Sequence, residues 1–542
     1  VYSRYLTKFP DGYNPSSQQI DLIKRIEDAY AKGYKYVICS APTGSGKSFI
    51  SKTLGNVSNK CSDEFRRLIT SYDAFKQDYA GNHTHEVDCI KEPNHGTFAL
   101  TITRSLQDQY HKLFEDSSTL KGKSNYQCEV NTDVDVENAP CLLLPKLKEE
   151  CWSVNKCPYY NARNRALTDQ FSILNYKMFL TLPGHVKRKN FIVCDEASEL
   201  EDELVKHFSV FVEPEKFKLL GVKIPLLYSE EMQHVRTWLT ALMVTLGEHI
   251  DALTHKHNNK NTTLNINDKI KLNYFKNFHR TLNLIDDTWG ECEYVIQREK
   301  STVRITPLRV DALSKYIFDY AENVLLMSAT IVDHKNFAKS LGIDQYKYIE
   351  VDSTFDSKKA PIYVSNVGRL NKQNIEKNMP KIAKLIKDIC ESHSTEKGII
   401  HTHTLDITKH IQKHLKGDRY LFRDSESKND SILSKHSKSK EPTVIVSPSM
   451  TFGIDLKDDL ARFQIIVKAA YLPLGDNRIK RLFDVDKDWY TDKMLISLVQ
   501  ACGRGIRSKD DHCTTYIIDQ AITDAVIANR AKLPKYFVER FA

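Results

Sequence analysis

The residues best placed to do chemistry stand in one run: Ala41, Pro42, Thr43, Gly44, Ser45, Gly46, Lys47 and Ser48. Small residues of this kind let backbone amides close around phosphates at the start of a helix. Lys47 is then placed to neutralise β and γ phosphates, and Ser48 to ligate magnesium. Alanine stands where the pattern has its first glycine. Far downstream, Asp195 and Glu196 follow the apolar run Phe191 to Cys194. There Asp195 can hold magnesium, and Glu196 can orient or deprotonate an attacking water. Acidic pairs are common on surfaces, so the weight rests on position, at a strand end downstream of a phosphate loop. A third group, Gln500 to Arg507, carries Arg504 and Arg507 about one helical turn apart, where both can reach one γ-phosphate from an opposite domain. Gln500 would contact the same phosphate or its water. The expected catalytic set is Lys47, Asp195, Glu196, Gln500, Arg504 and Arg507, acting on ATP with Mg2+. Gln19, Thr43, Gly44, Ser45, Gly46, Lys47, Ser48, Gly453 and Asp455 are the expected ATP contacts.

These groups need rigid carriers. Tyr36 to Cys39 reads as a buried parallel strand before the glycine-rich turn, and similar runs recur at Phe191 to Cys194, Val324 to Met327, Gly398 to His401, Val444 to Ser447, Ile465 to Val467 and Tyr516 to Ile518. In open α/β sheets functional residues gather at the carboxyl ends of strands. Short polar clusters follow two of these runs, Ser328, Ala329, Thr330 and Phe452, Gly453, Ile454, Asp455, as suits a hinge between nucleotide and phosphate backbone. Two regions break the alternation. Residues 121–160 are rich in cysteine and lysine without a strand pattern. In 206–304, Met232, Val235, Trp238, Leu239, Leu242, Leu246, Ile250 and Leu253 keep helical period, and Tyr274, Phe278, Leu282 and Ile285 form a second stripe. That pattern predicts an antiparallel helical pair with an ordinary core. Asp424 to Lys440, rich in Ser and Lys, reads as a solvated loop.

Four of the twelve cysteines, Cys128, Cys141, Cys151 and Cys157, fall within one short stretch. Thiolates hold iron-sulfur clusters or tetrahedral zinc, and spacing does not separate the two. Lys121, Lys123, Lys146, Lys148 and Lys156, with Trp152, Tyr159 and Tyr160, offer a basic aromatic surface for single-stranded DNA. Cys61, His83, His85, Cys89 and His95 form a second group whose spacing suits no zinc pattern, and no metal is assigned to it.

At 542 residues the chain is too long for one core, and 41% hydrophobic with 27% charged residues is a globular composition. No stretch approaches the roughly 18 apolar residues of a membrane span, and Val1, Tyr2, Ser3 and Arg4 do not open a signal peptide. A cytoplasmic protein of a bacterial or phage-infected cell is expected. The formal charge of +8 permits a polyanionic partner without requiring one.

Taken together, the series resembles the XPD/DinG family of iron-sulfur helicases in superfamily 2. Gln500, Gly503, Arg504 and Arg507 match its Q-x-x-G-R-x-x-R pattern, and Asp195, Glu196, Ala197, Ser198 read as a variant of its DEAH box. Lys121 to Cys128 looks like the segment leading to its first cluster cysteine, Cys151 and Cys157 precede Pro158, Tyr159, Tyr160 as in DinG-like sequences, and Asn175–Tyr176 match the element before the box. The likeness spans nearly the whole chain and is weakest in 206–304. It implies an α/β protein of two RecA-like parallel-sheet domains with an inserted iron-sulfur cluster domain and a helical arch domain. The division expected is 1–120, 161–205 and 305–345 for the first RecA-like domain, 121–160 for the cluster, 206–304 for the arch, and 346–542 for the second RecA-like domain.

The resemblance also implies a [4Fe-4S] cluster on the four cysteines and 5′ to 3′ movement on DNA. Single-stranded DNA would cross both domains at Thr103, Arg104, Asn175, Tyr176, Thr402 and Thr404, with forked or tailed duplexes, or DNA-RNA hybrids, as substrates of a monomeric motor. Phe452 departs from the family, whose members often carry Glu there, and no nuclease domain is expected before the phosphate loop. Two other readings share these motifs: a translocase that strips proteins or RNA from DNA without processive unwinding, and a scaffold on which ATP only gates nucleic-acid binding.

Overall fold

The computed structural model describes residues 3–42, 44–69, 94–142, 147, 149–151, 157–258, 266–353, 355–371, 373–423, 429–448, 458–503, 505 and 511–542. Thr43, Gly453, Asp455, Arg504 and Arg507, with Phe452, Ile454, Trp152, Lys146, Lys148, Lys156, His83, His85 and Cys89, lie outside them.

In chain order the strands are β1 (Tyr36–Ser40), β2 (Thr97–Thr101), β3 (Ser118–Leu120), β4 (Phe171–Asn175), β5 (Lys189–Asp195), β6 (Val210–Val212), β7 (Tyr294–Glu299), β8 (Thr302–Pro307), β9 (Ala321–Ser328) and β10 (Tyr346–Glu350). They continue as β11 (Ile362–Val364), β12 (Gly398–His401), β13 (Tyr420–Phe422), β14 (Val444–Ser447), β15 (Phe463–Ile466) and β16 (Thr514–Ile517). Two sheets are wholly parallel, in the orders β10-β1-β9-β5-β2-β4-β3 and β11-β16-β15-β12-β14-β13. A parallel sheet is covered on both faces, which is why its strands are apolar runs rather than alternations. In β1, Ile38 packs with Phe98, Leu100 and Ile192 on one face, while Val37 and Cys39 pack with Val193 and Leu325 on the other. The α/β expectation of two parallel-sheet domains holds.

The pairing moves a boundary. β10 lies beside β1, in register from Tyr36 against Tyr346 to Ser40 against Glu350, so the first domain runs on through Glu350 rather than ending at 345.

The region 206–304 is not purely helical. The helices Met232–Asn258 and Ile266–Asp287 are there, with the ion pairs Arg236–Asp286 and Lys256–Asp268 tying opposite ends together, as antiparallel neighbours require. They share one core with an antiparallel sheet, β6-β8-β7, to which Val210, Val212, Tyr294, Ile296, Val303 and Ile305 contribute. β8 runs across the expected boundary at 304. The sheet escaped the sequence reading because its strands are short and separated by the helical pair.

Asp424 to Lys440 also differs from expectation. Asn429–Lys438 is a helix that buries Ile432 and His436, one turn apart on one face. His436 joins Leu460 O and the Thr443 hydroxyl. Polar composition hid a single buried stripe.

Candidate active site

The phosphate loop leaves β1, the second strand of its sheet, and runs into the helix Lys47–Val57. Gly44 and Gly46 take φ of +83° and +80°, the left-handed region where glycine is free of strain. At Gly46 a Cβ would stand 2.0 Å from Gln19 Nε2, so the Gln19 amide lies directly against the loop. Gln19 is held there by a capping box: Ser16 Oγ accepts from Gln19 N, and Gln19 Oε1 accepts from Ser16 N. Gln18 instead donates to Asp352 O, so Gln19 alone of the two faces the loop. Ser45 Oγ is buried with no hydrogen-bond partner among the described residues. An orphaned hydroxyl in a left-handed glycine loop fits an oxygen-rich anion such as a triphosphate.

β5 ends at Asp195, buried beside β9 and β2. Tyr110, on the helix Arg104–Leu113, donates to Asp195 Oδ2 at 2.9 Å, and its hydroxyl is 3.3 Å from Ser51 Oγ, one turn beyond Lys47. Burial pushes the Asp195 carboxyl up to about 6, with Lys47 acting against it and Glu196 with it. Such a carboxyl is primed to bind a cation that restores its charge. Lys47 Nζ is 3.8 Å from Glu196 Oε1. Glu196 has φ of +52°, a strained conformation for a side-chain-bearing residue that is held by its amide bonding back to Asp195 Oδ1.

From this pair a polar path leads to the second domain. Ser328 Oγ approaches Glu196 Oε2 at 3.5 Å and Ser198 Oγ at 3.0 Å. Thr330 Oγ1 donates to Ser198 Oγ at 3.0 Å, and Gln500 Nε2 reaches Thr330 Oγ1 at 3.4 Å and Glu199 Oε1 at 2.9 Å. Ser328 is the residue that meets the Glu196 carboxylate, and serine in the fourth position of the box, Ser198, joins Ser328 to Thr330. Gln500 lies near the end of the helix Lys487–Cys502, whose last carbonyl accepts from Gln464 on β15 and from Arg540. Gln500 Oε1 is buried without a partner among the described residues. Tyr536 donates to Ala329 O at 2.5 Å from the same domain. Tyr110 and Tyr536 went unread because a hydroxyl on an apolar helix position looks like ordinary core.

Of the residues expected on the nucleic-acid path, Thr103 and Arg104 are exposed, Arg104 donating to Asn125 Oδ1 at 2.6 Å. Thr103 caps its helix through Leu106 N, Asn175 caps the helix Tyr176–Thr181 through Met178 N, and Thr404 caps Leu405–His414 through Ile407 N. Two expectations are corrected. Tyr176 is fully buried and donates to Asp195 O at 2.9 Å, so it props the carboxylate strand from within. Thr402 is fully buried, its hydroxyl 2.6 Å from Thr408 Oγ1. Hydroxyl residues near a strand end face inward as readily as outward.

The cysteine stretch carries one isolated bridge, Gln127 with Asp135. Cys128 is buried, and Cys157 stands at the N-cap of the helix Pro158–Thr168. Burial pushes the Cys157 thiol up, while the Tyr160 and Tyr159 amides and Lys123 oppose this and Cys128 adds to it. Lys123, itself held down by burial, feels Cys141 and Cys157 together. Among the described residues no three His, Cys, Asp or Glu side chains form a group that could hold a metal ion. The four cysteines are thiol donors of the kind a cluster needs, and Cys128 influences Cys157, but the described side chains do not gather into a ligand set. Tyr159 belongs to the core of the first domain, not to an aromatic surface. His95, from the second cysteine and histidine group, is buried against Leu167 O and Lys189.

A model of the helicase C-terminal domain family matches residues 386–539. A solved XPD helicase aligns at TM-score 0.62 with 15% identity, covering 96% of this chain and 98% of its own. The Xpd4 structure from S. tokodaii aligns at 0.55 with 13% identity, covering 95% and 97%. The chain has the fold of these solved XPD helicases. A probable ATP-dependent helicase of Methanocaldococcus jannaschii is 20% identical over 79% of this chain and 85% of its own length. Among the described residues no helix is long and apolar enough to cross a membrane.

Proposed function

We propose that the protein is an ATP-dependent DNA helicase that loads on single-stranded DNA, moves 5′ to 3′ and separates duplex strands with the cysteine-rich segment as a wedge. The observation that carries this reading is the unbroken polar path from Glu196 through Ser328, Ser198 and Thr330 to Gln500. Such a path makes the state of a γ-phosphate on the first domain a matter for the second.

In this reading Lys47 and the loop amides hold the triphosphate, Gln19 lies where an adenine would be read, and Ser48 with Asp195 would hold magnesium, which neutralises phosphate charge when bound. Glu196 takes the proton of the attacking water, and Gln500 orients that water through its unpaired carbonyl oxygen. The reading assigns the remaining nucleotide contacts to Arg504, Arg507, Gly453 and Asp455. Thr103, Arg104, Asn175 and Thr404 meet the phosphates of the strand at helix N-termini.

Cys128, Cys141, Cys151 and Cys157 would hold the [4Fe-4S] cluster, whose positive iron would stabilise thiolates, including that of Cys157, which burial disfavours. Residues 121–160 then form the cluster domain and 206–304, extended to the end of β8, the arch.

The test is strand displacement on duplexes bearing a 5′ or a 3′ single-stranded tail, with iron and sulfide analysis of the same anaerobic preparation. ATP-dependent displacement only from the 5′ tail, lost in Glu196→Gln, is the expected result. Displacement from the 3′ tail overturns the direction, and stoichiometric zinc without iron overturns the cluster.

A further inference from the structure

The first helix after the carboxylate box, Leu200–His207, opens with Glu201, Asp202 and Glu203, which suit its positive end. Glu201 does more than balance a helix. It is buried, and its carboxylate accepts from Arg478 Nη2 at 2.9 Å and from Trp489 Nε1 at 3.0 and 3.1 Å, with Lys493 Nζ 2.9 Å away. All three partners belong to the second domain, Arg478 on the helix Asn477–Val485 and the other two on Lys487–Cys502. Arg478 Nε also donates to Pro307 O, at the end of β8, and Lys493 Nζ reaches Asp202 at 3.4 Å. Burial would raise the Glu201 carboxyl, but Lys493, Arg478 and the indole N–H together hold it down to about 2.

A buried ion cluster of this kind adds little net stability, because desolvation offsets most of its attraction. What it does impose is geometry, since each charge is tolerated only while its partners are in place. Trp489, Lys493 and Gln500 lie on one face of their helix, Lys493 and Gln500 seven residues or about 10 Å apart. Glu199 and Glu201 stand two residues apart on the first domain, one meeting Gln500 and the other Lys493. The helix is therefore pinned twice against the segment that follows Asp195 and Glu196.

We infer that Glu201 is a positioning residue for hydrolysis: through Lys493, Arg478 and Trp489 it sets the register of the helix Lys487–Cys502, and so the point at which Gln500 meets Glu199 and Thr330. The inference rests on reading the site as one that hydrolyses ATP.

The test is steady-state ATP hydrolysis by the full chain with saturating oligo-dT, beside thermal melting, in Glu201→Lys, Lys493→Glu, the two combined, Trp489→Phe, and Lys47→Ala as control. Each single charge reversal is expected to lower kcat about 10-fold or more with KM for ATP within about twofold, and the combined exchange to recover only the part carried by the direct pair of positions 201 and 493, because Arg478 and Trp489 still need a carboxylate at 201. Trp489→Phe keeps an aromatic ring but removes the indole N–H and part of the buried side chain, and is expected to lower kcat about threefold with a fall in melting temperature too small to unfold the protein at the assay temperature. Wild-type kcat in Trp489→Phe overturns the inference whatever the charge variants do. So do charge-variant losses confined to KM or matched by loss of folded protein. Full activity in Lys47→Ala shows instead that the proposed function has failed, and the inference falls with it.

Discussion

The two parallel sheets present the same turn to opposite fates. After β2, Thr101 Oγ1 donates to Thr103 O and Thr103 caps a helix; after β12, Thr402 Oγ1 donates to Thr404 O and Thr404 caps a helix. The distances agree at 3.3 Å in all four bonds. Yet the first domain follows its cap with the exposed Arg104, whereas the second follows with Leu405 and Asp406 and places His403 at φ of +68°. The first sheet also carries Lys47, Asp195 and Glu196 at its strand ends, while the second brings Gln500 in on a helix. One backbone device has thus been specialised twice. On the proposed reading the first domain holds anions, and the second responds to them.

The largest expected break in this asymmetry comes at the first domain. Glu196→Gln keeps the shape of the strained turn and removes the base, so phosphate release should fall roughly 10² to 10⁴-fold while ATP binding persists. Lys47→Ala should lose binding and hydrolysis together, as equilibrium dialysis with labelled nucleotide would read. If Glu196→Gln hydrolysed ATP at the wild-type rate, the first domain would not be the seat of chemistry.

The second domain should contribute less per residue. Gln500→Ala removes the contacts to Glu199 and Thr330 without touching the loop, and a displaced water-orienting group should cost roughly 10 to 10²-fold in kcat with KM little changed. An effect as large as that of Glu196→Gln would erase the distinction between holder and responder.

Asp195 sharpens the comparison through pH. Its folded value, about 6, lies above the ordinary 3.8, so the folded protein binds the proton more tightly than the unfolded chain does. The stability this gives is full below about 4 and is lost as pH rises through about 6. Magnesium needs the ionised form. Its affinity for the nucleotide-free protein should therefore fall as pH drops from 7 to 5, and Asp195→Asn should melt at higher temperature than wild type at pH 7 while losing hydrolysis. Calorimetric titration with Mg2+ at both pH values checks the first, and thermal melting the second. A lower melting temperature in Asp195→Asn would mean that the Tyr110 bond outweighs the buried charge.

Much of the nucleotide side was legible before any coordinates, because phosphate loops and strand-end carboxylates obey local rules: Gly44, Gly46, Lys47 and Asp195 each stand where spacing alone puts them. Gln19 was legible from its interval before the phosphate loop, whereas the capping box with Ser16 that holds it was not read. What stayed hidden is tertiary. Nothing in the sequence around Tyr176 or Thr402 says that these hydroxyls turn inward, and nothing near Glu201 announces partners at Arg478, Trp489 and Lys493, nearly three hundred residues away. Strand β10 was missed because Tyr346 to Glu350 is no apolar run: it buries Ile349 alone and carries Lys347 and Glu350 outward, as befits the edge strand of its sheet.

The smallest effect concerns the paired caps. Thr103→Ala and Thr404→Ala each remove one capping bond and should cost about 1 kcal/mol of stability. If the two turns serve the strand equally, they should also weaken binding to fluorescent oligo-dT alike. The asymmetry predicts otherwise. Arg104→Ala should lower affinity and reduce the slope of log K against log salt by about 1, whereas Thr404→Ala should leave that slope unchanged, because the first turn of its helix offers amides and Asp406 but no cation. Equal salt slopes in the two variants would mean that the second domain grips phosphate as the first does, and that the difference between Arg104 and Asp406 carries no function.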